Sequence, residues 1–310
     1  MKWRYLIALL LLPGPARACL NESRTRLSGE AFTLNREGID WVPAGRDLGA
    51  ERGANRRRAQ QLDSLWRTHH RLADYSDYGV VLVYLGHYDQ ARQVFENIEA
   101  QRPGLYATAA NLGTAYELLG QPRQALRWIE RAVQLNPQAH EGSEWIHVNI
   151  LKSRLAGEHT ITSPFLLGVD FGTAARPAAP ASLRQLRQLR EELYYQLRER
   201  MDFVQPPDKL VGQLLFDLGN LQALTSDVEG AQDIYAEARR YGYRSAVLTR
   251  RDMYFSWLIA TETGNMVGWL LVLALLGLVV LGSVKTGRRL HRCLRGAGGA
   301  QARRPPGPVA

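Results

Sequence analysis

Residues 106–139 read YATAANLGTAYELLGQPRQALRWIERAVQLNPQA, and residues 72–104 follow the same plan 34 positions earlier. Tyr78-Gly79 answers Leu112-Gly113, Gly86 answers Gly120, Ala91 answers Ala125, Phe95 answers Ile129 and Pro103 answers Pro137. A period of this length, with small residues at fixed offsets, is the pattern of stacked helical hairpins. One such unit cannot bury its apolar face alone and must stack on a neighbour. In each unit the glycine and alanine (Gly79 with Ala91, Gly113 with Ala125) are expected where the two helices cross. Gly86 and Gly120 turn the chain, Asp89 is a candidate cap, and Pro103 and Pro137 close the units.

The best copy runs A-x2-L-G-x2-Y-x3-G-x4-A-x3-I-x2-A-x4-P over Ala109–Pro137. It resembles the tetratricopeptide repeat family, with Ala109 in place of the usual leading Trp. The first copy has Tyr75 there, Tyr78 for Leu and Leu82 for Tyr. These are changes of size within an apolar seam, which cores absorb. A third copy runs through Leu215, Leu218, Gly219, Gln222, Ala231, Tyr235 and Ala238, with the Gly79-to-Ala91 interval repeated from Gly219 to Ala231. Residues 248–259 then form its capping helix. The resemblance implies that the first helix of each unit lines a concave face. Ser76, Val80, Val83, Tyr84, Ala110, Thr114, Glu117 and Leu118 map there. That surface is mixed and carries no Lys or Arg cluster, so an apolar extended or helical segment is the expected occupant.

The hairpins are interrupted after Glu144–Leu155. Residues 157–181 lack a helical period yet are apolar, and they fit either a loop folded over an exposed edge or a partner contact through Phe165 and Phe171. They and the W-I-H stretch before them are similar to segments of bacterial envelope repeat proteins. Ser182 is a candidate cap for the next helix, with Leu183, Leu186, Leu189, Leu193 and Leu197 on one face. Before the repeats, residues 19–54 are irregular, with short extended pieces around Phe32, Leu34, Ile39 and Trp41. A helix is expected from Asn55.

The formal charge of +9 has an uneven origin. Ten basic residues lie in the first 18 and last 27 positions, which leaves 29 basic and 30 acidic residues between them. A near-neutral body does not steer a polyanion, which argues against a nucleic-acid partner. With two cysteines, Cys19 and Cys293, a multi-cysteine metal site is excluded. The two ends read as membrane signals. Residues 1–18 have a basic start, an apolar run and Ala16 and Ala18 before a cleavage point, the plan of a signal peptide. Residues 264–284 read as a transmembrane helix, since the 19 uncharged residues from Met266 reach about 28 Å. Lys285, Arg288, Arg289, Arg292 and Arg295 then place the tail, residues 285–310, in the cytoplasm. Arg250-Arg251 is the nearest basic pair on the other flank.

The expected protein is therefore an all-α solenoid of tetratricopeptide-like hairpins, over 55–156 and 182–263, with a C-terminal membrane helix. It would be a single-pass protein of a bacterial inner membrane, its body periplasmic. Its role would be a scaffold or assembly factor whose partners are the lipid bilayer and another envelope protein. No cofactor and no catalytic residue is expected. Neither a phosphate-binding loop nor a zinc-protease motif occurs, and Ser163 and Thr173 have no obvious base partner. Glu144 and His147 form an i,i+3 pair on one helix face, read as a solvated contact. The alternatives are a cell-wall enzyme using that pair with loop 157–172, and a structural homo-oligomer.

Overall fold

The 34-residue plan folds as two consecutive helical hairpins in the computed structural model, which describes residues 21–28, 31–35 and 42–261. A short antiparallel pair comes first, β1 (Asn21–Thr25) and β2 (Ala31–Asn35), with Arg24 opposite Phe32 and Glu22 opposite Leu34 in register. Helix α1 (Leu48–His69) follows. It starts before the expected Asn55, because the Asp47 side chain accepts the Ala50 N–H and caps it. Gly49 and Gly53, within the stretch expected to be irregular, lie inside this helix.

Helices α2 (Leu72–Tyr84) and α3 (Tyr88–Gln101) make the first hairpin, and α4 (Tyr106–Leu118) and α5 (Pro122–Leu135) make the second. The two turns are built alike. Gly86 and Gly120 take φ of 81° and 72°, and the N–H groups of His87 and Gln121 return to the carbonyls of Leu82 and Tyr116. This left-handed closure satisfies carbonyls that a helix end would otherwise leave open. The cap of α3 is His87 without a side-chain bond, not Asp89; Asp89 instead accepts from Arg92 and Gln93 in the first turn.

At the crossings the helices approach until there is no room for a side chain. A Cβ at Gly79 would lie 2.6 Å from Phe95, one at Gly113 would lie 2.3 Å from Ile129, and one at Gly219 would lie 2.4 Å from Tyr235. In all three hairpins the large residue facing the glycine is sixteen positions on, four beyond the alanine expected at the crossing. Phe95, Ile129 and Tyr235 are fully buried there, each worth about 1.5–3 kcal/mol by apolar burial.

Helix α6 (Glu144–Ala156) stacks on α5, with Val148 and Leu151 against Ala125 and Ile129. The chain then departs from the repeat. A short helix α7 (Ser163–Leu167) leads into an irregular stretch, and α8 (Leu183–Met201) opens with a Ser182–Gln185 capping box. The third hairpin is α9 (Lys209–Thr225) and α10 (Val228–Arg240), capped by Asp208 and Asp227. Gln222, the polar residue in an apolar position, is buried because its side-chain amide donates to the Asp227 carboxylate at 2.8 Å. Helix α11 begins at residue 246. The chain divides at Ser256; from Trp257 on, only residues 257–261 are described, and they are helical.

Arg251 on α11, read from sequence as a flanking charge, is fully buried. It donates to the carbonyls of Phe171, Gly172 and Ala174 at 2.7–3.1 Å and to Asn220 Oδ1 at 2.6 Å. Arg250 adds a bond to the Thr173 carbonyl. Residues 171–174 of the insertion are therefore held against α11 by two adjacent guanidiniums.

Among the described residues no helix is long and apolar enough to cross a membrane. That finding overturns the expected single-pass inner-membrane protein with a C-terminal membrane helix, periplasmic body and lipid partner. The stretches that carried the expectation (1–18, 264–284 and 285–310) lie outside the described residues, as do Ile39 and Trp41.

Two substitutions separate close approach from mere helical glycine. Gly113→Ala is expected to cost about 1–3 kcal/mol by overpacking against Ile129. Gly53→Ala, exposed and with only the Arg57 side chain near, is expected to add about 0.5–1 kcal/mol. Urea unfolding of both variants checks the contrast, and equal effects would contradict it. Arg251→Met is expected to cost about 1–3 kcal/mol, since buried Asn220 Oδ1 loses this donor while the Phe171 carbonyl keeps the Ala178 N–H and those of exposed Gly172 and Ala174 can turn to water. It should also open residues 168–182 to thermolysin under native conditions.

Candidate functional site

Helices α2 and α4 each present residues at intervals of three and four to the same side. Val80, Val83 and Tyr84 from α2 and Ala110, Asn111, Thr114, Glu117 and Leu118 from α4 form one wall of a cleft of about 340 Å³. The far wall comes from the end of α8 and the residues after it, with Gln196, Glu199, Arg200, Phe203 and Val204. His147 and Arg154 of α6, Glu144 and His140 complete the lining.

Seven of the ten expected contact residues therefore meet in one cleft: Val80, Val83, Tyr84, Ala110, Thr114, Glu117 and Leu118. Ser76, further up α2, is not among its lining residues. Phe165 sits on α7 with 38% of its surface exposed, and Phe171 is only 2% exposed beside the Arg251 clasp. Phe171 thus presents no side chain to a partner. No described residue of 157–172 lines the cleft that holds Glu144 and His147.

The pair itself is not solvated. Glu144 is 3% exposed and His147 8%. His147 Nε2 donates to Glu117 Oε2 at 2.6 Å, and Arg200 donates to both oxygens of Glu117 at 2.8 and 3.2 Å. Arg154 Nε stands 3.3 Å from the same carboxylate. Three cations from α6 and α8 thus converge on one buried acid of α4, and they bring to the cleft the basic groups that α2 and α4 lack. Glu144 Oε1 accepts from the Tyr106 hydroxyl at 3.0 Å and pairs with His140 Nδ1 at 2.7 Å.

Burial alone would raise the pKa of Glu117, but Arg200 and His147 outweigh it and hold the carboxylate well below its ordinary value. Glu144 is likewise lowered against its burial by His140 and His147. Burial would lower His147, yet Glu117 raises it overall. The hydrogen bond to Glu144 raises His140.

His140 reaches this position through backbone strain. It and Glu141 take φ of 50° and 57°, left-handed values that non-glycine residues rarely adopt. The turn is held by Ser143 Oγ, which donates to the His140 carbonyl at 2.5 Å and accepts from Gln196 of α8 at 3.0 Å.

A second buried cluster ties the insertion to α9. Ser163, which seemed to lack a partner, donates to Asp217 Oδ1 at 2.6 Å, and Gln213 donates to the same oxygen at 3.0 Å. Burial pushes the Asp217 carboxyl up to about 7. The i,i+3 spacing pointed only to Glu144 with His147; no spacing joined Glu117 to Arg200, 83 residues apart, or Ser163 to Asp217, 54 apart.

The shifts define a pH window. The raised histidines stabilise fully below their ordinary value of 6.5, and that contribution is lost as pH rises through their higher folded values. The lowered carboxylates stabilise fully above 4.5, and theirs is lost as pH falls through the lower folded values. Glu117→Gln is therefore expected to destabilise most between pH 4.5 and 6.5, by about 3–5 kcal/mol for a broken buried pair. Melting of wild type and variant from pH 4 to 9 measures this, and a difference independent of pH would contradict it.

A family model described as tetratricopeptide repeat matches residues 82–143, about a fifth of the chain, from the end of α2 through the turn that carries His140. No curated protein matches the chain.

Proposed function

We propose that this chain is a helical-repeat scaffold for protein–protein interaction, and that it receives a segment of its partner in the cleft between α2, α4 and α8. The observation that carries the reading is the convergence of the inner-helix residues on one cleft whose lining mixes apolar side chains with the charged group around Glu117. Concave faces of stacked hairpins serve as extended binding surfaces, and the matched repeat covers all of α4 and the end of α2. Except for the exposed Glu199, the acids and histidines of the cleft are engaged with one another or with arginines. Glu117 holds three cations, Glu144 holds His140 and Tyr106, and Thr114 donates back to the Ala110 carbonyl at 3.2 Å. That commitment favours a binding site over a catalytic one.

A photo-crosslinking residue placed at Thr114 of the full chain in its native cells tests the reading. A discrete protein adduct is expected, and Ala110→Trp, which fills the cleft, should reduce it at least tenfold while helicity is retained. Adducts that persist unchanged in the Ala110→Trp background would overturn the proposal.

A further inference from the structure

The concave face already holds a peptide segment, and that segment belongs to the chain itself. Residues 199–204, the end of α8 and the turn after it, run along the wall opposite α2 and α4. Arg200 forks onto Glu117. Three residues on, the Phe203 ring lies parallel to Tyr84 at 6.0 Å with an interplanar angle of 3°. The Arg46 guanidinium covers Tyr84 at 4.5 Å. Phe203 also packs on the core of the first hairpin. Beyond the cleft, Asp202 accepts the Arg46 N–H at 2.7 Å and the Val204 carbonyl accepts the Tyr241 hydroxyl at 2.9 Å.

This occupancy is incomplete. About 340 Å³ remains between the segment and the repeats. Two buried polar atoms of the lining residues, Arg200 Nε and Glu144 Oε2, have no hydrogen-bond partner. Buried groups in that condition carry a desolvation cost that a better-fitting occupant relieves. Open space also forfeits dispersion contacts along both walls.

We propose that residues 199–204 are a built-in pseudo-ligand, and that the partner segment carries the same chemistry: an arginine followed three residues later by an aromatic ring. The partner's guanidinium replaces Arg200 on Glu117, and its ring replaces Phe203 on Tyr84. This deepens the docking proposal and rests on it. A polyanionic occupant would bring no cation to take the place of Arg200 on the Glu117 carboxylate. A purely apolar segment would leave the Glu117 carboxylate short of its strongest partner. The internal segment competes at the high effective concentration of a tethered group. The partner's apparent affinity is therefore reduced by the fraction of molecules in which the segment is released.

The test offers a labelled synthetic peptide with the sequence of residues 196–207 to three full-length proteins and reads binding by fluorescence anisotropy. The proteins are wild type, the double variant Arg200→Ala with Phe203→Ala, and the same double variant with Glu117→Gln. The double variant is expected to bind at least tenfold tighter than wild type. Adding Glu117→Gln should abolish the gain, and a peptide whose Arg200 equivalent is replaced by Glu should not bind. Equal affinity for wild type and double variant, or no binding to any of the three, would overturn the pseudo-ligand. If circular dichroism shows that the double variant has lost its helices, Phe203→Ala alone carries the test, with a gain of at least threefold expected and none contradicting it. Specific crosslinks from Thr114 together with failed peptide binding would leave the docking cleft standing and remove only the pseudo-ligand.

Discussion

Each hairpin depends on one close approach, a glycine backbone on one helix pressed against a large side chain on the next. Phe95, Ile129 and Tyr235 occupy the space that a Cβ would need at Gly79, Gly113 and Gly219. The large residue supplies the apolar burial and the glycine supplies the room, so neither helix can shift without opening a void or a clash. Since the contact recurs at the same sixteen-residue offset, the first two hairpins have the same crossing and stack in register. The third hairpin, with Gly219 106 positions after Gly113, repeats the contact with a tyrosine whose hydroxyl donates to Asn220 at 2.6 Å.

That regularity leaves the inner helices with a second face to account for. In α2 and α4 this face is half apolar and carries one acid, Glu117. Alone, a buried carboxylate there would be costly. The chain resolves the cost with groups from α6 and α8, and this ties the concave face to helices outside the repeat match. Buried ion clusters contribute little net stability when weighed against apolar replacements, but breaking one is expensive. The Glu117 cluster therefore serves mainly to fix where α8 lies across the face. The strained turn at His140 and Glu141 is part of the same device, because Gln196 of α8 holds it through Ser143.

How much of this was legible follows from the range of each interaction. The hairpins were readable because their determinants are local: glycine turns, small residues at the crossing and a 34-residue period. The third unit was readable by the same interval even with Gln222 in an apolar place, and the Asp227 cap explains that exception. The large residue facing each glycine was not legible, because a pattern of small residues at the crossing does not show which large one fills the gap. The start of α1 was missed because two helical glycines resembled loop punctuation. Arg251 looked like a charge flanking a membrane span, and no pattern in sequence announces a guanidinium that clasps three carbonyls. Glu144 and His147 were seen as a pair and judged solvated, since the Glu117 and Arg200 that cover them come from distant segments. Seven of the concave-face residues fell together because helical spacing alone decides which side they occupy; Phe171, in a segment without periodicity, had no such guide and is buried.

The central claim is that the end of α8 returns across the concave face of the hairpins and is held there by the Glu117 carboxylate. A double-mutant cycle on unfolding free energy, with Glu117→Gln and Arg200→Met singly and together, tests it most directly. The account expects a coupling above about 1 kcal/mol, within the range of about 0.5–3 kcal/mol found for residues in contact. Effects that add to within about 0.3–0.5 kcal/mol, as for independent sites, would contradict it.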